Sequence, residues 1–120
     1  MLKRILVLDD NQDILDIISE ALLYEKFEVK VTLDCEDIIA LTETYKPDLI
    51  ILDYHLAGTN GKDICHQLKA HPGLGHIPVI ICSAYIRSDV DFSSWGCDGV
   101  IAKPFGLDEL TDKVNNLILG

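Results

Sequence analysis

Leu49-Ile50-Ile51-Leu52 is an apolar run with no polar break, and it stops at Asp53. A strand with one wet face alternates apolar and polar residues. A run with no polar member has to be covered on both faces, as in a parallel sheet between two layers of helices. Three further runs share the pattern. Ile5-Leu6-Val7-Leu8 precedes Asp9-Asp10, Val79-Ile80-Ile81-Cys82 precedes Ser83, and Val100-Ile101-Ala102 precedes Lys103-Pro104.

Between the runs the period changes to that of a helix. Ile14, Leu15, Ile18, Leu22 and Leu23 mark a helix from Asn11 to about Glu25, capped by Asp10 or Asn11. Asp34 to Tyr45 is expected to be a second helix with Ile38, Ile39 and Leu41 inward, ended by Lys46-Pro47. Gly61 to His71 is a third, with Ile64, Cys65 and Leu68 inward, and Pro72-Gly73 stops it. Leu107 to Leu119 is the last, capped by Gly106 or Asp108, with Leu110, Val114, Leu117 and Ile118 inward. Glu28 to Thr32 alternates and reads as a strand nearer the edge. Ala57 to Gly61 reads as a loop. From Tyr85 to Trp95 no clean stripe forms, and Ser88, Asp89, Ser93, Ser94 and Gly96 weaken a helix there.

Strands alternating with helices define an α/β protein with a five-stranded, doubly wound parallel sheet, and residues 1–120 read as one domain. Ligands in such sheets bind beyond the carboxyl ends of the strands, at the switch point in strand order. The formal net charge of -10 disfavours direct binding to nucleic acid or to an anionic membrane. No apolar stretch approaches the roughly 20 residues that span a bilayer. The four cysteines, Cys35, Cys65, Cys82 and Cys97, form no C-x-x-C pair and no zinc spacing. Met1-Leu2-Lys3-Arg4 leads straight into the first strand, and a reduced, cytoplasmic setting is expected.

The residues that end the strands carry the chemistry. If the first and third strands are adjacent, Asp9, Asp10 and Asp53 share one pocket. Three such carboxylates need a proton or a cation to offset them, and Mg2+ suits hard oxygen ligands. An ammonium at Lys103 could reach the same pocket and neutralise a phosphoryl oxygen or Asp53. Ser83 offers one hydroxyl donor, and the small Ala84 leaves room beside it. Pro104 makes the turn after Lys103 rigid, as a cis bond or a tight bend. Taken singly, each residue fits a blander role. Asp9 could be a helix cap, Asp53 and Ser83 turn residues, and Lys103 a solvated strand end.

Together, Asp9-Asp10, Asp53, Gly61, Ser83-Ala84 and Lys103-Pro104-Phe105 closely resemble the receiver domain of two-component response regulators, over essentially the whole chain. The resemblance implies a CheY-like, flavodoxin-like three-layer sandwich with strand order 2-1-3-4-5. It implies that Asp53 accepts a phosphoryl group from a phosphohistidine on a sensor histidine kinase or histidine phosphotransfer protein. Mg2+, or Mn2+ in its place, would be held by Asp9, Asp10, Asp53 and the backbone carbonyl of His55. Lys103 and Ser83 would bind phosphoryl oxygens. Such a domain is a signalling module that catalyses only its own phosphorylation and dephosphorylation. Its output would pass to a downstream protein through the fourth helix, fifth strand and fifth helix, a face that could also pair two copies.

The chain departs from the family's pattern in several places. The family has an aromatic ring three residues before the lysine that turns inward on activation, and here that position is Val100. Tyr85 or Trp95 could supply a ring over the gap above Val100. The fourth helix is expected to be short, displaced or mobile. His55 and Tyr85 stand where the family tunes the lifetime of the acyl phosphate, and a bulky pair there implies slow hydrolysis. Ala57 stands where proline is common. His66, His71 and His76 read as surface residues. One competing reading is a hydrolase of the haloacid-dehalogenase type with Asp9 as nucleophile. It is opposed by Asn11, where an aspartate is usual, and by the lack of room for a cap domain. The other is a receiver-like interaction domain that no longer uses phosphate.

Overall fold

The computed structural model describes residues 2–33, 36–56, 58–84 and 92–119. In chain order the elements are β1 (Arg4–Leu8), α1 (Gln12–Tyr24), β2 (Glu28–Thr32), α2 (Ile38–Tyr45), β3 (Leu49–Asp53), β4 (His55–Leu56) and β5 (Thr59–Asn60). They continue with α3 (Gly61–Ala70), β6 (Val79–Ser83), a 3-10 turn (Phe92–Trp95), β7 (Gly99–Ala102) and α4 (Leu107–Leu119). Five strands form a parallel sheet in the order β2-β1-β3-β6-β7. With the short pair β4 and β5 set aside, this is the expected order 2-1-3-4-5.

Both faces of the sheet are covered, which is what the apolar runs demanded. Successive side chains on a strand point to opposite faces. Ile5, Val7, Leu49, Ile51, Ile80, Cys82 and Ile101 therefore gather on one side, against Leu15, Ile18 and Leu22 of α1 and Leu110 and Val114 of α4. Leu6, Leu8, Ile50, Leu52, Val79 and Ile81 gather on the other, against Ile38 of α2 and Ile64, Cys65 and Leu68 of α3. β2 lies at the edge and alternates in burial as its sequence does. Cys65, Cys82 and Cys97 are free thiols.

Helix ends follow local chemistry. Asn11 caps α1, its side chain accepting from the backbone N–H groups of Asp13 and Ile14. At the other end the Phe27 N–H donates to the Leu22 carbonyl at 3.0 Å and the Lys26 N–H to the Leu23 carbonyl at 3.0 Å. This is the closure normally made with a left-handed glycine, and Lys26 takes it at φ 68°. Phe27 is buried in the α1–α4 side of the core and fixes that closure. Gly106 precedes α4, and its carbonyl accepts from the Leu110 N–H.

Three details differ from the sequence reading. α2 spans Ile38–Tyr45 and starts after a left-handed Asp37 (φ 55°) that makes no side-chain cap bond, while the expected start at Asp34 lies outside the described residues. Leu23 is 54 % exposed, since the buried stripe of α1 runs through Leu15, Ile18 and Leu22 and leaves Leu23 one step round the helix. Thr59–Asn60, inside the expected loop, pair antiparallel with His55–Leu56. Between β6 and β7 the described residues form a single 3-10 turn at Phe92–Trp95. Tyr85, Ala57 and the expected start of the fourth helix lie outside the described residues.

A left-handed lysine carries a steric cost of about 1–2 kcal/mol that glycine avoids. Lys26→Gly should therefore raise the unfolding free energy by about 0.5–1 kcal/mol, even after the greater chain entropy of glycine. Urea denaturation with an unchanged slope would measure it.

Candidate acidic site at the carboxyl edge of the sheet

Strand register builds the site. Leu8 pairs with Leu52, so the next residues, Asp9 and Asp53, leave adjacent strands at the same level. Asp53 pairs with Cys82 and Cys82 with Ile101, which places Lys103 two residues further out and two strands away. That offset is roughly 10 Å sideways, within reach of a folded-back lysine. Parity adds a second constraint. Asp9, Asp53 and Lys103 continue the alternation of Val7, Ile51 and Ile101, so all three leave the sheet on the α1–α4 side.

The Lys103 ammonium sits 3.0 Å from Asp9 Oδ2 and 3.0 Å from Asp53 Oδ1. The other oxygen of Asp9 accepts the Asn11 backbone N–H at 3.0 Å, so Asp9 links the Lys103 ammonium to the start of α1. Asp9 is 2 % exposed and Asp53 6 %, whereas Asp10 is exposed. Ligand oxygens of Asp9, Asp10 and Asp53 all lie within 4.8 Å of one another. A set of three convergent carboxylates, two of them buried, fits a hard divalent cation.

The backbone around Asp53 is fixed from both sides. The Tyr54 N–H donates to the Cys82 carbonyl at 2.8 Å, and the Gly61 N–H donates to the Tyr54 carbonyl at 2.8 Å. A Cβ at position 61 would come within 2.6 Å of the Asp53 carbonyl oxygen. Glycine is required there so that α3 can close under the peptide after Asp53. Asn60 caps α3 by accepting from the Asp63 N–H. Ser83 is buried at the end of β6, and its carbonyl accepts the Lys103 N–H at 2.8 Å, which aligns the start of the lysine's loop. The Lys103–Pro104 bond is cis, as the proline suggested. Val100 is half-buried opposite Ile81.

Charge at the site is balanced against burial. Burial raises the pKa of Asp53 above the ordinary carboxylate value of 3.8; the Lys103 ammonium opposes the rise, and the charges of Asp9 and Asp10 add to it. Burial also works against the charge on Lys103, but its bonds to Asp9 and Asp53 outweigh burial and hold its pKa above 10.5. Lys103 therefore stays charged at neutral pH and partly offsets two buried carboxylates.

Two features had no signal in the sequence. Tyr54 stacks on Trp95 with ring centroids 4.9 Å apart and planes at 28°, and it meets the His55 ring edge-on at 5.1 Å. A groove of about 380 Å3 borders Lys103 and is lined by Ile14, Ile17, Pro104, Phe105 and Leu107 among others. His55 is exposed, as are His66 and His76, while His71 is half-buried and paired with Glu43 at 3.3 Å.

With this geometry established, comparison with known proteins gives one class. The profile of the response regulator receiver domain matches residues 5–115. The chain belongs to that family and is a receiver domain of the two-component kind. It is 34 % identical over 116 residues to the DNA-binding response regulator MtrA of Mycolicibacterium paratuberculosis, covering 95 % of this chain and 50 % of that protein. It is 31 % identical over 117 residues to the DNA-binding dual master transcriptional regulator RpaA of Synechocystis, covering 96 % of this chain and 48 % of that protein. The chain thus spans about half the length of the curated relatives it matches. Among solved structures, the response regulator TrrA of Thermotoga maritima in complex with Mg2+-BeF superposes with a TM-score of 0.85 at 31 % identity, covering 97 % of this chain and 99 % of that one. The chemotaxis protein CheY4 of Vibrio cholerae gives a TM-score of 0.89 at 18 % identity over 98 % of this chain and 99 % of that one, and it shares the fold. Among the described residues no helix is long and apolar enough to cross a membrane.

Because Lys103 opposes the rise in the Asp53 pKa, Lys103→Ala should move the Asp53 carboxyl midpoint further up. A 13C NMR titration of the side-chain carboxyls of the metal-free protein checks this.

Proposed function

We propose that residues 1–120 act as one phosphoacceptor domain in which Asp53 is the nucleophile. The observation that carries this reading is the Asp9–Lys103–Asp53 bridge, with both contacts at 3.0 Å. An Asp53 oxygen would attack the phosphorus of a phosphohistidine. The new O–P bond would form as the P–N bond breaks, and the imidazole would leave with its electron pair. Little covalent chemistry is asked of the protein, and positioning with charge neutralisation suffices.

Asp9, Asp10 and Asp53, with the backbone carbonyl of His55, would hold Mg2+, and Mn2+ fits the same ligands. When bound, the ion supplies positive charge that offsets the carboxylates and the incoming phosphoryl oxygens. Lys103 would pass from Asp53 to a phosphoryl oxygen while keeping Asp9. Ser83 would donate its hydroxyl to another, with Ala84 leaving the approach open. Water would later break the acyl phosphate, restoring the carboxylate and releasing inorganic phosphate. His55, beside Asp53, would shield that step together with Tyr85. Catalysis of this kind acts on the domain's own aspartate and turns over no separate substrate.

The donor must present its phosphohistidine at this rim. The groove of Ile14, Ile17, Pro104, Phe105 and Leu107 lies on the same side of the sheet as Asp9, Asp53 and Lys103, with Ile17 48 % exposed. We assign it to the apolar helix surface of a sensor histidine kinase or phosphotransfer protein. The net charge of -10 supports output through contact with a downstream protein and not through nucleic acid held by these residues.

Incubation with Mg2+ and acetyl phosphate should add one base-labile phosphoryl group by intact mass, and Asp53→Asn should abolish it. Label that survives Asp53→Asn, or phosphate-ester turnover lost in Asp9→Asn, would favour the hydrolase reading. Ile17→Glu should slow transfer from a phosphohistidine protein that phosphorylates the wild type by about tenfold or more, since a charge would enter the apolar contact. Labelling by acetyl phosphate should be unchanged in the same variant.

A further inference from the structure

Tyr54 follows Asp53 directly, and its two backbone bonds, to Cys82 and from Gly61, tie it to β6 and to α3. The Tyr54 ring is thus carried on the peptide that follows Asp53. That ring does not end in solvent. It stacks on Trp95, 41 positions away in sequence, in the 3-10 turn that precedes β7. The turn has a second attachment on the same side, where the His66 Nε2 of α3 lies 3.1 Å from the Ser94 carbonyl oxygen. Both rings are half-buried and pack against the α2–α3 side of the core. Position 100 carries a valine, which has no ring to turn.

We propose that the Tyr54–Trp95 stack couples Asp53 to the 3-10 turn Phe92–Trp95, so that the stack favours the unmodified state and loosens when Asp53 is phosphorylated. A phosphoryl group brings nearly two negative charges and three acceptor oxygens beside the Tyr54 peptide. Lys103 and the residues after β3 have to rearrange around them. The stack bridges the residue after β3 to the turn before β7, so that rearrangement disturbs the ring contact. Coupling is reciprocal. If modification weakens the stack, then removing the stack must strengthen binding at Asp53. Aromatic pairs of this geometry correspond to about two- to tenfold in an equilibrium constant.

This inference rests on Asp53 as acceptor, and the test separates the two. Trp95 is the one tryptophan of the chain, so its emission reports the turn without labelling. The full chain is titrated with beryllofluoride in Mg2+, with bound fluoride followed by 19F NMR and Trp95 by fluorescence. Trp95 emission should change along the same curve as bound fluoride. Tyr54→Leu should lower the midpoint about two- to tenfold and remove the emission change. Tyr54→Phe, which keeps a ring for stacking, should behave as the wild type. Bound fluoride with silent Trp95 emission, or a Tyr54→Leu midpoint that is unchanged or raised, would overturn the coupling while leaving Asp53 as acceptor. Absence of bound fluoride would overturn both readings.

Discussion

One ammonium between two buried carboxylates holds the carboxyl edge of this fold together. Lys103 neutralises part of the charge that Asp9 and Asp53 bring into a region nearly sealed from water. Removing one partner of such a group leaves the others buried and uncompensated, which is costlier than never having had them. The arrangement is therefore stable only as a set. It is also unfinished, since one ammonium faces three carboxylates once Asp10 is included. The residual negative charge is what makes the pocket receptive to a cation, and in the proposed function the lysine would move from Asp53 to a phosphoryl oxygen while keeping Asp9.

The sheet makes that set unavoidable. Asp9 and Asp53 leave neighbouring strands in register, and Lys103 shares their parity, so the strand ends themselves bring them together. A slip of one residue in any strand would send its charged end to the other face and its core residues with it. The same apolar pattern that specifies the fold thus specifies the site. The groove beside Lys103 and the α1 helix start held by Asp9 lie on that one side, while Tyr54, Trp95 and α3 lie on the other. Asp53 stands between that groove and the Tyr54–Trp95 ring pair.

Most of this was legible in the chain because it depends on local pattern. The unbroken runs at Leu49–Leu52 and Ile5–Leu8 called for a two-sided sheet, and the polar residue ending each run marked the edge. Asn11 before a 3.6-residue period marked the start of α1. What escaped depends on short or distant contacts. Two-residue strands at His55–Leu56 and Thr59–Asn60 are too short to show a period. Asp37 looks like an ordinary helix residue, and only its left-handed backbone delays α2 to Ile38. Leu22 and Leu23 both fit an apolar stripe, and only packing against the sheet decides that Leu22 is inside. Trp95 has its ring partner in Tyr54, a pairing that spacing alone does not reveal.

The most direct test of the central claim is an experimental structure of the chain with Mg2+ and beryllofluoride. The account predicts beryllium on an oxygen of Asp53, the metal ion among Asp9, Asp10 and Asp53, and the Lys103 ammonium on a fluorine while still within hydrogen-bond distance of Asp9. Beryllofluoride bound elsewhere, or Asp53 turned away from Asp9 with Lys103 unmoved, would contradict it.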